Sequence, residues 1–265
     1  MGTISRKQAG VVLLILLALF AIVGPLVAPR APFEQNLYGI LQPPTMTEPL
    51  GTDHLGRSMV ARLASASRLS LGLALVSVMT AAVPGTLLGL LAAWRGGWVA
   101  RAVGALADAV LALPGLLLVL LLSAFAPGAF WPLYVGLSLV LWVEYFRVTR
   151  ATAAVALASD HVEAARLLGF GPVYVLRHHV LPELLPLLGT LMSFGASAAV
   201  LALAAMGFVG LGAQPPAAEL GLMMTELLPY AAEAPWVIAS PIVLLTLATL
   251  SLVLLNGAGA RRNPV

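Results

Sequence analysis

The chain has no cysteine and a single lysine, Lys7, and only 9% of its 265 residues are charged. The lack of cysteine excludes a disulfide framework, a thiolate metal site and a cysteine nucleophile. With one lysine near the N-terminus, no Gly-rich run ends in Lys, so a Walker A phosphate loop is excluded as well. If ATP is used, another chain binds it. The four histidines, His54, His161, His178 and His179, all fall between the apolar runs. Adjacent residues such as His178 and His179 point about 100° apart on a helix, unlike a zinc pair at i, i+4. No metal ligand and no catalytic residue is assigned.

Hydrocarbon is what the chain has in abundance. Hydrophobic residues make up 60% of it and mean hydropathy is +0.99, whereas soluble domains carry about 25% charged residues. This composition is that of an integral membrane protein. A bilayer core of about 30 Å needs roughly 20 apolar residues in a helix, and six runs qualify: Gly10 to Ala28, Leu69 to Trp94, Ala102 to Phe125, Trp131 to Val148, Leu184 to Leu211 and Trp236 to Leu255. The first could be mistaken for a secretory signal, but it is too long and is followed by Pro29 and Pro32, so it reads as a retained anchor. Prolines 84, 114 and 186 interrupt or border the runs, as helices buried in a bundle tolerate. Gly85 and Gly89 form a G-x-x-x-G pair suited to close helix packing.

The arginines set an orientation. With the N-terminus cytoplasmic, the inside carries Arg6, Lys7, Arg95, Arg101, Arg147, Arg150, Arg166, Arg177, Arg261 and Arg262, and the outside Arg30, Arg57, Arg62 and Arg68. Both termini are then cytoplasmic. The segment after the fifth run has only acids: Glu219, Glu226 and Glu233. The expected architecture is an all-α, six-helix membrane bundle. Residues 1–48 form an anchor helix and proline-rich outer loop, and residues 49–265 a core of five further spans.

The most polar stretch runs from Ser159 to Pro186, on the cytoplasmic side in this orientation. Asp160 followed by Glu163 predicts a capping-box-like start, with Asp in place of Ser or Thr. A short helix follows over His161 to Leu168, with Gly169 as its left-handed stop. Gly171-Pro172 opens a second short helix, which Leu181-Pro182 ends. Val173, Leu176 and Val180 share one face of it. From pattern alone the stretch is an amphipathic connector on lipid headgroups or a surface presented to a partner.

Its spacing resembles the EAA motif of ABC importer permeases: Glu163-Ala164-Ala165, then Gly169, then His179, Leu181 and Pro182. The resemblance implies that Glu163, Ala164, Ala165 and Gly169 form a coupling helix seated on a separate ATPase, and that Leu181 and Pro182 fix the start of the fifth span. Two outer stretches, Pro49 to Leu71 and Gly207 to Trp236, resemble the dipeptide, oligopeptide and nickel permeases, as does "ALPGLLL" from Ala112 to Leu118. Ser58 stands where this branch usually has Asp, and Ala61 where it often has Ser. The tail "LNGAGARRNPV" is shorter and less acidic than the branch's ending, and the short chain leans toward nickel or metallophore members.

The family implies a type I importer fold, a homologous second permease in a heterodimer, and two ATPase subunits that hold ATP and Mg²⁺. It also implies a substrate-binding protein outside a bacterial inner membrane. The chain itself would bind no cofactor and no nucleic acid, and would have no enzymatic activity of its own. The expected cargo is a di- or oligopeptide, nickel or a metallophore complex. An ion-driven secondary transporter or channel is the alternative, and would require paired ionisable groups at the midplane and an internal repeat; an intramembrane enzyme would need a catalytic set that is missing.

Asp53 and Arg57 are spaced for an i, i+4 pair at a helix start capped by Asp53. Arg57, Arg62 and Arg68 either reach to headgroups or receive the binding protein. Asp108 and Glu144 lie inside spans, where an acid costs about 2.5 to 3.5 kcal/mol at the centre and is a functional candidate by default. Asp108 has a structural role or lines the path; Glu144 pairs with Arg147 or Arg150, or lines the path and attracts a cationic substrate.

Overall fold

The computed structural model describes residues 5–28, 30–126 and 129–256. The tail at residues 257–265, with Arg261 and Arg262, lies outside the described residues, as does Pro29. The chain is helical almost throughout, and among the described residues the only extended pairing is one isolated bridge between Thr52 and Ser58. Helix α1 spans Arg6–Val27 and begins at a reciprocal capping box between Ser5 and Gln8. A short 3₁₀ turn, Leu37–Gly39, lies in the loop before α2, Met59–Arg95. Next come α3, Gly97–Leu111, α4, Gly115–Phe125, and α5, Trp131–Leu157. The polar stretch holds α6, Asp160–Leu167, and α7, Pro172–Val175. Helix α8, Leu181–Phe208, the short α9, Leu220–Leu227, and α10, Pro235–Leu254, complete the chain.

At the centre α2 and α5 run side by side in the same direction. Thr80 Oγ1 meets Ser138 Oγ at 2.7 Å, and further along Gly85 and Gly89 face α5. A Cβ on Gly85 would lie 2.6 Å from the Trp142 carbonyl oxygen, and one on Gly89 2.7 Å from Thr149 Cβ. The G-x-x-x-G pair thus lets two backbones approach where side chains would not fit. Helix α8 packs antiparallel on this pair, with Tyr145 Oη donating to the Leu191 carbonyl at 3.4 Å. Val78, Val143, Phe146, Val200 and Leu203 fill the core between them. Helix α1 lies across the first half of α2 and along α10, with Gly24 against Ala64 and Gly10 against Leu254. Its remaining surface, including Ile15, Leu16, Ile22 and Leu26, is apolar and exposed, as a lipid-facing helix requires.

Among the described residues, four helical stretches are long and apolar enough to cross a membrane: Arg6–Val27, Met59–Arg95, Pro172–Phe208 and Pro235–Leu254. The expected third span, Ala102 to Phe125, is not one straight helix. It is the pair α3 and α4, bent by 77°. Pro114 supplies no N–H and disfavours helical backbone at Leu113, so the ladder of α3 stops at the Ala112 N–H to Asp108 carbonyl bond. The fourth expected span lies within α5, whose 27 residues are long enough to cross, although Glu144, Arg147 and Arg150 lower its hydropathy. Six straight spans are therefore replaced by four, one broken span and a charged α5.

Two ends result. One carries α6, α7 and the C-terminal ends of α2, α5 and α10. The other carries residues 30–58, the 3₁₀ turn and α9. There the loop folds back on the bundle: the Asn36 N–H donates to the Leu55 carbonyl, and the Leu41 N–H to that of Asp53. Met59, Leu63, Leu220, Met223 and Leu227 form the apolar seat beneath it.

Candidate functional site

The polar stretch is built as a stem with a protruding knob. Its first helix begins one residue earlier than the Asp160 cap predicts, because the N-cap is Ser159. The Ser159 backbone carbonyl accepts from the Glu163 N–H at 3.1 Å, while its hydroxyl donates back to the Ala156 carbonyl at 2.7 Å. Asp160 and Glu163 occupy the first turn, where their charge suits the helix dipole. The stop is as expected. Gly169 has φ +83, its N–H bonds the Arg166 carbonyl and the Phe170 N–H bonds the Ala165 carbonyl, which together make a Schellman motif.

The knob has two faces. Val162 and Ala165 are buried against the bundle, whereas Glu163, Ala164, Leu167 and Leu168 are exposed. Of the two expected contact alanines, then, only Ala164 is presented outward. Leu167 and Leu168, unremarked as contacts in the sequence, are 84% and 76% exposed and add an apolar ridge beside it. On the inner side the Arg166 guanidinium lies over the Trp94 ring at 5.9 Å, attaching α6 to the end of α2.

The second short helix does not end at Leu181-Pro182. It continues through a π turn, Leu176–Val180, into α8, as one helical stretch from Pro172 to Phe208. The Leu181 N–H reaches the Leu176 carbonyl, five residues back. A wide turn at this point accommodates Pro182, which could not serve the carbonyl four residues before it. The expected buried face shifts as well: Val175 and Val180 are withdrawn, while Val173 is 75% exposed. Val180 packs with Ala153 and Ala156 of α5, so the knob is rooted in the core. Phe170, Tyr174 and His178 stack at centroid distances of 4.1 and 4.2 Å along the outer side, with His179 edge-on to Tyr174 at 6.1 Å.

At the opposite end Asp53 sits at the hub of an ion-pair network. It receives Arg57 Nε at 2.6 Å and Arg62 Nη1 at 2.6 Å, and Glu226 of α9 receives Arg62 Nη2 at 2.6 Å and Arg57 Nη2 at 3.4 Å. The expected Asp53–Arg57 pair is present, but Asp53 caps a turn, accepting from the N–H groups of Leu55 and Arg57; α2 starts later, after Ser58. Arg57 and Arg62 are 3% and 0% exposed. They neither reach headgroups nor offer a surface to a partner; they close this end of the chain upon itself. Burial alone would raise the Asp53 pKa, but the Arg62 and Arg57 charges and the two backbone donors outweigh it and hold the carboxyl below its ordinary value. Ser58 donates to the carboxylate of buried Glu48 at 2.7 Å, so an acid stands beside position 58 although residue 58 is not one. His54, stacked on Tyr230 at 5.2 Å, has its pKa lowered by burial, against the attraction of Asp53.

Glu226, the distant partner of Arg57 and Arg62, and Glu48, the partner of Ser58, are not among the residues singled out by spacing. The signal available was the matching of acids to arginines among the outer loops. Glu219 is another: 3% exposed, it caps α9 through the Leu222 N–H at 2.9 Å and meets Ser70 Oγ of α2 at 3.3 Å. Burial pushes its carboxyl pKa up, in spite of these bonds.

Arg68 donates to the Ala21 and Ile22 carbonyls of α1 at 3.1 and 3.3 Å. Among the acids of the spans, Asp108 pairs with Arg147 at 2.6 Å. Arg150 turns to the Ala100 carbonyl at 3.4 Å. Glu144 therefore takes neither expected arginine; it is exposed, and no cation lies within 4 Å of it among the described residues. No group of histidines and acids suited to a metal occurs among them either.

Comparison with known proteins places this geometry. Residues 85–262 match the family described as binding-protein-dependent transport system inner membrane component. Residues 8–44 match the N-terminal transmembrane domain of oligopeptide transport permease C. The di/tripeptide transport system permease DppC of Pseudomonas aeruginosa is 36% identical over 95% of this chain and 85% of its own length. The dipeptide permeases DppC of Escherichia coli and Haemophilus influenzae are 36% and 33% identical, over 95% of this chain and 86% and 87% of theirs. In structure, the chain is similar to one from the MetNI methionine ABC transporter in inward-facing conformations, with a TM-score of 0.55 and 21% identity, covering 73% of this chain and 94% of that one.

Proposed function

Because the chain belongs to the binding-protein-dependent transport system inner membrane component family, we propose that it is a permease subunit of an ATP-driven importer of di- and oligopeptides. The relatives named above are permeases for dipeptides or di/tripeptides, and the leaning toward nickel or metallophore members has no counterpart in them. Half a pathway needs a second, homologous permease. Two ATPase subunits hold ATP and Mg²⁺, and a binding protein delivers the peptide from outside. The arginine distribution supports a cytoplasmic position for both termini and α6 and an outer position for residues 30–58.

The observation that carries this reading is the exposed knob of α6 on its rooted stem. Glu163 and Ala164, with Leu167 and Leu168, present a small, partly apolar surface to the ATPase, while Gly169 ends the helix tightly and His179, Leu181 and Pro182 lie in the stem. ATP-driven closure of the ATPases displaces α6 as a rigid body, and the helices attached to it change their packing. The peptide must be bound differently by the two resulting states for the cycle to move it. Asp108 and Glu144 lie on the path side of the subunit.

A cysteine placed at Ala164 in this cysteine-free chain should cross-link to the ATPase in the assembled complex, whereas one at buried Ala165 should react poorly. Failure of Ala164→Cys to cross-link in a complex that hydrolyses ATP and transports would remove the docking assignment. Peptide uptake by the reconstituted chain alone, driven by an ion gradient, would favour the secondary-transporter alternative instead.

A further inference from the structure

Glu144 is the central residue of α5 and projects from it as an exposed carboxylate. Its surroundings fix where it points. Leu141 and Tyr145, on one side of α5, face α8: both lie against Gly195, and Tyr145 also bonds the Leu191 carbonyl. On the other side Gly136 and Val140 meet Val119 and Gly115 of α4, and Arg147 meets Asp108 of α3. At 3.6 residues per turn, Glu144 falls between these two faces, in the gap between α8 and the broken span. Among the described residues no other element covers it there.

Three facts make this carboxylate available to a ligand. A charge within a membrane span is too costly to face lipid and ordinarily looks into a cavity or a bundle interior. The two arginines nearest in sequence are engaged elsewhere, Arg147 with Asp108 and Arg150 with the Ala100 carbonyl. And because Asp108 and Arg147 neutralise one another, neither is left to pair with Glu144, whose own negative charge has no cation within 4 Å among the described residues. Apolar residues flank it: Leu137, Leu141, Val140 and Val148, so the field of one charge is weakly screened.

We propose that Glu144 is a specificity-determining residue, which receives the cationic group of a peptide in the translocation path and favours basic over acidic peptides after release from the binding protein. The inference rests on the peptide-importer reading. It assigns to the membrane subunit a share of selection, by charge, that lies downstream of the binding protein.

The complete complex, reconstituted in liposomes with its binding protein, should be compared for ATP-dependent uptake of a lysine-containing and a glutamate-containing dipeptide. The binding protein is common to all variants, so its own preference cancels when their uptake ratios are compared. Glu144→Gln should lower the basic-to-acidic ratio about five- to ten-fold, equivalent to about 1 to 1.4 kcal/mol. Glu144→Lys should lower it further, and Glu144→Asp should keep most of it. ATP hydrolysis should persist in each. Glu144→Ala, which only shortens an exposed side chain, serves as the second neutral variant if Gln impairs assembly. An unchanged ratio in either neutral variant, or an equal loss for both peptides, overturns the proposal. Absence of ATP-dependent uptake of any peptide by the wild-type complex would overturn the importer reading instead.

Discussion

Arg62 is the largest fully buried side chain among the described residues, and its burial illustrates what single residues contribute. Two carboxylates engage its terminal nitrogens, leaving only Nε unpartnered. Removing one partner of such a pair leaves a buried charge uncompensated, which costs about 3 to 5 kcal/mol. Asp53 and Glu219 then respond to acid in opposite ways. The Asp53 pKa lies below its ordinary 3.8, so its stabilisation is fully present above that value and is lost only as pH falls through the lower, folded one. The Glu219 pKa lies above its ordinary 4.5. Keeping Glu219 buried therefore becomes more costly as pH rises from 4.5 through the folded value. Glu219→Gln can still accept from the Leu222 N–H and meet Ser70. It should flatten that part of the stability profile, so that thermal midpoints at pH 5 and pH 7 differ less than in the wild type. An equal difference in both proteins would show that Glu219 is not its source.

Elements were legible in the sequence where the signal is local. The Asp53–Arg57 pair and the left-handed Gly169 follow from spacing of four residues or from one glycine, and both are found. The joints were not. By pattern Pro182 is a stop, yet a π turn carries the helix past it; Pro114 by pattern is tolerated at a span, yet it breaks one by 77°. A proline's missing N–H is visible in sequence, but whether a wide turn or a break resolves it depends on packing. Pro25 gives a third outcome. Its missing N–H leaves the Ala21 carbonyl without the usual donor four residues on, and Arg68 Nη2 of α2 takes that place at 3.1 Å. Arg68→Met should thus destabilise the wild type by about 0.5 to 1.5 kcal/mol. In a Pro25→Ala background, where residue 25 can donate again, the cost should be smaller. Equal costs in the two backgrounds, measured by unfolding in detergent, would mean that Arg68 does not act through that carbonyl.

For the whole molecule, the centre is the seam between α2 and α5. Gly85→Ala would force a Cβ to within 2.6 Å of a backbone oxygen, and overpacking of this kind costs about 1 to 3 kcal/mol. Gly72→Ala, on the same helix, meets nothing within 4 Å. The first variant should lower the thermal midpoint of the purified protein and the second leave it nearly unchanged; equal midpoints would show that the seam yields. Arg57 and Arg62 are matched by Asp53 and Glu226 and contribute almost no net charge, so among the described residues the arginines without an acidic partner concentrate on the α6 side. That matching brings together residues some 170 positions apart, which no local pattern could reveal.

Helix α2 begins beside the Arg62 ion pairs and ends at Trp94 beneath Arg166. At 1.5 Å per residue its 37 residues run about 55 Å. Its close seam with α5, at Gly85 and Gly89, lies much nearer the Trp94 end. If that seam is the pivot, the rod would be an unequal see-saw: a small push on the short arm near α6 would become a larger sweep of the long arm, where the buried arginines sit.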